Sequence, residues 1–304
     1  MNFHSNGKLL LTGEYFVLDG AWALALPTKP GQSLQVVKNE SGEINWASYD
    51  ADHSIWFQGS FSLPFGEYRS GTDEAVGQRL TQIFQAIQQQ KPHFFQQLKG
   101  LQIEAQLDFP RDWGLGTSST LLSNLAQWAA IDPFLLLQDT FGGSGYDIAC
   151  ATASGPILYQ LLDNRSAIQS LSAIYQSFTH QIYFVYLGKK QDSRQGIARY
   201  RQKGKNKPEL VAQVSDLTQQ FIHCQSLPAF ENLIQQHEML VSQALDLPRA
   251  KDFYFSDYWG EIKSLGAWGG DFILATSYRG ETETKFYFNE RGFSVVLPYK
   301  TIIL

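Results

Sequence analysis

The chain has 304 residues, 43% of them hydrophobic and 14% aromatic, enough for one large domain or two of ordinary size, each with a full core, and disorder is excluded as a default. Twenty-four Lys and Arg against 29 Asp and Glu leave a net charge of −5 with no basic block, which argues against nucleic acid as a partner. Its two cysteines, Cys150 and Cys224, cannot build a disulfide framework and form no Cys-x-x-Cys pair, so buried thiols in a reducing compartment are expected.

The first residues, Met1 to Lys8, lack the basic region and small-residue cleavage site of a signal peptide, and no later run reaches the ~18 apolar residues of a membrane span. A soluble, cytoplasmic protein with no membrane partner is expected. Lys8 to Leu11 reads as a buried strand, Gly13-Glu14 as a turn, and the stretch to Asp19-Gly20 as extended or short helical structure. Short aromatic pieces between 32 and 68 suggest antiparallel strands and hairpins. From about Asp73 to Gln90, Val76, Leu80, Ile83, Phe84 and Ile87 make one apolar helix face, which is core packing.

Leu101 to Phe109 alternates as a strand with one buried face, and Pro110 stops it. Trp113-Gly114-Leu115-Gly116-Thr117-Ser118-Ser119-Thr120 follows, then Leu121, Leu122, Leu125, Trp128 and Ala129 at helical spacing. Strand, glycine loop, hydroxyl cluster and helix form an order suited to an anion. Glycines let the backbone approach a ligand, and the helix start offers free N–H groups and the positive end of its dipole. Thr117, Ser118 and Ser119 add hydroxyls for phosphate oxygens or Mg²⁺. An ordinary glycine turn with a Ser/Thr cap stays open as the alternative. The pattern is neither Walker A nor the dinucleotide G-x-G-x-x-G.

A second glycine cluster, Phe141 to Gly145, leads through Tyr146-Asp147 into small residues, with Asp147 in the first turn of a helix. Ile157 to Tyr159 resumes a strand. The chain changes character near residue 178, where Ile182 to Leu187 reads as a strand buried on both faces. Two helices are expected after Pro208. One carries Val214, Leu217 and Phe221; the other carries Leu233, His237, Leu240 and Val241, with His237 a core histidine rather than a ligand. The third glycine cluster, Lys263 to Asp271, precedes a strand over Phe272 to Thr276. Lys285 to Phe288 and Phe293 to Leu297, joined by Asn289 to Gly292, read as a closing hairpin.

Three glycine-rich segments in this order, with a lysine near the start, resemble the GHMP small-molecule kinases, and within them the mevalonate and phosphomevalonate kinase branch. Gly7 to Tyr15 is similar to that branch's opening G-K-x-x-L-x-G-E segment, and Pro110 to Ser119 to its P-x-x-x-G-L-G-S-S phosphate loop. Ser144 to Asp147 resembles the S-G-x-D segment that bears the catalytic aspartate, and Lys263 to Gly270 the K-x-T-G-A-G-G-G-G motif. Phe141 to Ala149 looks like a bacterial offshoot of the family marked by G-Y-D-I-A.

The resemblance implies an α+β fold of two domains, residues 1–178 (ribosomal-S5-like) and 179–304 (ferredoxin-like). It implies ATP and Mg²⁺ as cofactors and a small-molecule hydroxyl or phosphate as acceptor. Gly114, Leu115, Gly116, Thr117, Ser118 and Ser119 would hold the ATP phosphates, with Ser118 also a Mg²⁺ ligand. Asp147 would take or orient the acceptor's proton; Lys8 would lie beside it, keep it ionised and neutralise the transferring phosphoryl group. On the substrate side it points to Glu14 and Tyr15 in the first segment, Ser144 and Gly145 in the second, and Gly266, Ala267 and Trp268 in the third. Two departures stand out. Trp268 fills a glycine position, so it either swings out or narrows the site, and Leu136 occupies the place of a glutamate metal ligand, with Asp139 the nearest acid. Mevalonate or a close relative is the expected acceptor. The alternatives are phosphomevalonate, homoserine or a sugar, and a silent metabolite-binding protein of the same fold. A monomer or homodimer is expected.

Overall fold

Alternation from Leu101 onward produces the expected strand: Leu101, Ile103, Ala105 and Leu107 are buried, and Gln102, Glu104 and Gln106 are half-buried on the other face. The computed structural model describes residues 1–163, 165–172, 174–175, 177–189, 193–203, 208–266, 268 and 270–304. They form two compact units, neither of which is one continuous stretch of chain. Unit 1 comprises Met1–Gly7, Pro30–Arg111 and Leu115–Thr152; unit 2 comprises Lys8–Lys29, Asp112–Gly114 and Ala153–Leu304. Strands β1 (Asn2–Leu10) and β2 (Ala23–Lys38) each contribute residues to both.

Unit 1 adds β3 (Glu43–Tyr49), β4 (Ile55–Ser62), β5 (Tyr68–Gly71), α1 (Glu74–Gln90), β6 (Leu101–Leu107), α2 (Thr117–Ala129), α3 (Pro133–Thr140) and α4 (Tyr146–Ala151). Its sheet runs β5-β4-β3-β6-β2, with β1 beside β2; β3 and β6 are parallel, and the other pairs along that order are antiparallel. The carboxylate of Asp73 accepts the Val76 N–H at 3.1 Å and so starts α1 where the sequence predicts. Leu80, Ile83, Phe84 and Ile87 then bury against Val36, Trp46, Phe57 and Ile103 of the sheet. Phe84 stands edge-on to Trp46, Phe61 and Phe95 and is fully buried; removing one such side chain from water contributes about 1.5–3 kcal/mol.

Unit 2 contains a hairpin of β7 (Ile157–Leu162) and β8 (Arg165–Ser170), in which β7 pairs with Ala23–Ala25 of β2. Then come β9 (Ile182–Tyr186), α5 (Ser193–Lys203), α6 (Pro208–His223), α7 (Leu227–Leu245), α8 (Ala250–Tyr254), β10 (Ile262–Ser264), β11 (Phe272–Thr276), α9 (Glu281–Asn289), β12 (Val296–Pro298) and α10 (Tyr299–Ile302). The second sheet runs β10-β11-β9-β12 and is antiparallel throughout. With helices after β9 and between β11 and β12, this is the ferredoxin-like βαββαβ order. β9 is buried at every residue, as its unbroken apolar run predicts. No helix among the described residues is long and apolar enough to cross a membrane.

One expectation is corrected. The closing hairpin does not form, because residues 281–289 are the helix α9. Thr284, Tyr287 and Phe288 are its buried residues, a helical spacing, while Phe286 is 65% exposed. A strand would have put Phe286 and Phe288 on one face. Glu281 and Glu283 sit in the first turn, where the dipole favours them, and Glu281 pairs with Lys285 one turn on at 2.6 Å. The run of aromatics suggested a strand; the acids before it decide for a helix.

Candidate functional site

In unit 1 the phosphate-loop candidate is the start of α2. Gly116 lies at φ 97°, in the left-handed region, and no side chain caps the helix behind it. Gly116 itself has no side chain with which to bond the first N–H groups of the helix, where the positive end of its dipole lies. Ser118 is exposed and Thr117 half-buried, whereas Ser119 turns back to donate to the Gly116 carbonyl at 2.8 Å. Leu115 is fully buried and anchors the loop.

Polar side chains fix this helix against the strands. Thr120 donates to Gln32 Oε1 and Asn124 donates to the Gln32 carbonyl, both at 2.8 Å, and Ser5 donates to Asn124 Oδ1 at 2.8 Å. All four residues are buried. Sequence reasoning missed them, although polar residues at 120 and 124 on an otherwise apolar helix are one turn apart. In the same unit α2 packs against α4, which begins at Gly145 (φ 86°). Asp147 is half-buried in the first turn of α4, and its Oδ1 accepts the Ile148 N–H at 3.1 Å. Ser144 is half-buried and Gly145 buried.

Unit 2 holds the other candidates. Lys8, half-buried on β1, donates from Nζ to the Gly114 carbonyl at 2.9 Å. Gly114 lies at φ 69°, and a Cβ there would stand 2.7 Å from Cγ of Asp271. Gly114→Ala is therefore expected to cost about 1–3 kcal/mol of stability, read as a lowered midpoint in denaturant. An unchanged midpoint would mean that the loop has another conformation. Trp113 packs edge-on to Phe272 at 5.5 Å and tilted to Tyr186 at 6.2 Å. Tyr186 donates to Asp112 Oδ2 at 3.0 Å, and burial followed by this carboxylate raises its phenol well above the ordinary value.

Glu14 is 1% exposed and ion-paired with Lys263; His237 is fully buried beside them and accepts the Gly13 N–H through Nε2 at 3.2 Å. Tyr15, at φ 63°, stacks on Tyr200 at 5.8 Å and accepts the Trp268 N–H on its hydroxyl at 3.1 Å. The Trp268 side chain is buried in one cluster with Tyr15, Phe16, Tyr200, Val241 and Leu245. The large residue at a glycine position thus turns into the core of unit 2. Gly266 keeps φ 66°; Ala267 lies outside the described residues. Leu136 is fully buried in the core of unit 1, so that position supplies no metal ligand, and Asp139 is exposed on α3. Cys150 and Cys224 are both buried.

No family model matches the chain, and no curated protein matches it in sequence. Solved structures do. The Methanococcus jannaschii mevalonate kinase aligns with a TM-score of 0.71 at 15% identity, over 95% of each chain. The Streptococcus pneumoniae phosphomevalonate kinase, in complex with phosphomevalonate and AMPPNP, aligns at 0.71 and 16% identity over 97% of this chain and 99% of that one. The Lactococcus lactis galactokinase complexed with galactose aligns at 0.66 and 12% identity, over 95% and 87%. Likeness at such identities is a likeness of architecture, and on that ground this chain has the α+β fold of the GHMP kinases.

Proposed function

We propose that the chain is an ATP- and Mg²⁺-dependent small-molecule kinase, with mevalonate or a close relative as acceptor. The observation that carries the proposal is the start of α2, an uncapped helix N-terminus on a left-handed glycine with Ser118 exposed beside it. Gly114 through Ser119 would hold the nucleotide phosphates through backbone N–H groups, and Ser118 would be the protein's hydroxyl ligand for Mg²⁺. Such a donor set fits Mg²⁺, which commonly keeps waters and phosphate oxygens and takes only one or two protein ligands. When bound, ATP supplies the phosphoryl group and Mg²⁺ offsets its charge.

The chain's own groups position and neutralise. Asp147 accepts or orients the acceptor hydroxyl's proton, and the Lys8 ammonium draws charge from the transferring group while fixing the Gly114 carbonyl. Glu14, Tyr15, Ser144, Gly145 and the third glycine segment belong to the acceptor side, Glu14 and Tyr15 acting from buried positions. Structures with this fold whose names include mevalonate kinase, phosphomevalonate kinase and galactokinase support the reading and leave the acceptor open. An ADP-release screen over mevalonate, 5-phosphomevalonate, homoserine and galactose tests it; no release with any of them would count against the assignment.

A second reading, a nucleotide-binding protein without turnover, is favoured by Leu136, a buried aliphatic in place of a metal-binding acid. Thermal unfolding with nucleotide, read beside ADP release, separates the two. ATP·Mg²⁺ at a hundred times its dissociation constant is expected to stabilise the fold by about 2.7 kcal/mol. Stabilisation without ADP release would identify the silent binder.

A further inference from the structure

Behind the third glycine segment, unit 2 buries four titratable side chains together. The Lys263 ammonium, fully buried, is paired with Glu14, donates to the Ser264 carbonyl at 3.0 Å and lies 3.6 Å from Glu238 Oε1. Glu238, on α7, accepts the Ser264 N–H at 3.1 Å and the Ser264 hydroxyl at 3.3 Å. His237 takes the Gly13 N–H on Nε2, which puts the proton of a neutral imidazole on Nδ1. Glu14 Oε2 faces Nε2 at 3.3 Å and has no hydrogen-bond partner among the described residues.

We propose that Glu238 is a positioning residue for the third glycine segment: with Lys263 it ties Ser264, where that segment begins, to the Gly13–Glu14 turn of the first. The effect on rate rests on the kinase reading; the effect on conformation does not. Two carboxylates and one ammonium would leave a net negative charge in a dry interior, which is unfavourable, so one carboxyl holds a proton. Glu14 has the closer contact with Lys263, which leaves Glu238 as the proton's site. Burial, reinforced by the Glu14 charge and opposed by Lys263, pushes the Glu238 carboxyl up to about 7. Burial and Lys263 hold His237 neutral, well below its usual range. Arg249, the residue before α8, is a further charged group that feels the Glu238 charge. Ionised Glu238 accepts both Ser264 donors and draws in Lys263; protonated, it loses part of that hold and the start of the segment loosens.

Trp268 follows Ser264 by four residues and its backbone N–H bonds the Tyr15 hydroxyl, next to Glu14, so its emission reports on this segment. The difference emission between the chain and its Trp268→Phe variant is expected to titrate with a midpoint near pH 7, and Glu238→Gln to abolish the titration. Emission that is flat across that range in the unsubstituted chain, or that titrates equally in Glu238→Gln, overturns the proposal. If Glu238→Gln does not unfold cooperatively, Ser264→Ala decides instead. Loss of a donor to the carboxylate should move the midpoint upward, and an unmoved midpoint overturns the proposal. In the kinase assay, Glu238→Gln should lower kcat/KM on the order of 10- to 100-fold and flatten its rise through neutral pH. If no acceptor releases ADP, the kinase reading fails, and the emission titration still decides the role of Glu238.

Discussion

Asp147→Asn is expected to lower turnover by about 10²–10⁴, the range that a positioned acid or base contributes. Asparagine has the same shape and can still accept the Ile148 N–H, so the first turn of α4 stays closed. What is lost is the negative charge and the ability to take a proton. Stability should change by no more than about 0.3–1 kcal/mol, the dipole contribution of a first-turn carboxylate. Stabilisation by ATP·Mg²⁺ should persist, because the phosphate-loop residues are untouched. The assignment is therefore checked by two measurements on one variant, thermal unfolding with nucleotide and ADP release with the best acceptor. Turnover close to that of the parent chain would remove Asp147 from the mechanism. Loss of nucleotide stabilisation together with turnover would place Asp147 in binding instead.

Local rules made much of this molecule legible. The stripe from Val76 to Ile87, the alternation at Leu101–Leu107 and the apolar run at Ile182–Tyr186 each became the expected element, because periodicity and burial agreed. Gly114, Gly116 and Gly145 all have positive φ, so the glycine segments are places where only that residue suits the backbone. Local reasoning failed in two ways. At 281–289 an aromatic run outweighed the acids that start a helix. Elsewhere the partners are far apart in sequence: Asn124 answers Ser5 and Gln32, and Lys263 answers Glu14 and Glu238. No window along the chain contains such pairs. A charged residue on a helix face that is otherwise core, as Glu238 is three residues before Val241, was a sign of the second set. Trp268 shows the same limit, since its direction depended on Tyr15 and Tyr200.

The largest effect on stability is expected from Lys263→Met. Lysine and methionine have similar length, so no large cavity opens, but Glu14 and Glu238 lose their common cation in a fully buried setting. Removing one partner of a buried ion pair costs about 3–5 kcal/mol, which a denaturant midpoint reads directly. The pH dependence distinguishes this charge effect from poor packing. Both carboxyls already sit above their ordinary range, with burial as the leading cause and Lys263 opposing it. Carboxyls raised in the folded state favour folding below their unfolded values near 4.5, and that contribution is lost as pH rises through the folded values. Without Lys263 both rise further, so the variant's deficit should be small in mild acid and grow steadily toward alkaline pH. Adding Glu14→Gln and Glu238→Gln removes the uncompensated charges and should recover much of the loss, since neutral replacements of a buried ionic cluster are often tolerated. A deficit of equal size at every pH, left unrelieved by the two amides, would mean that Lys263 acts through its hydrocarbon chain and that the ionic cluster contributes nothing of its own.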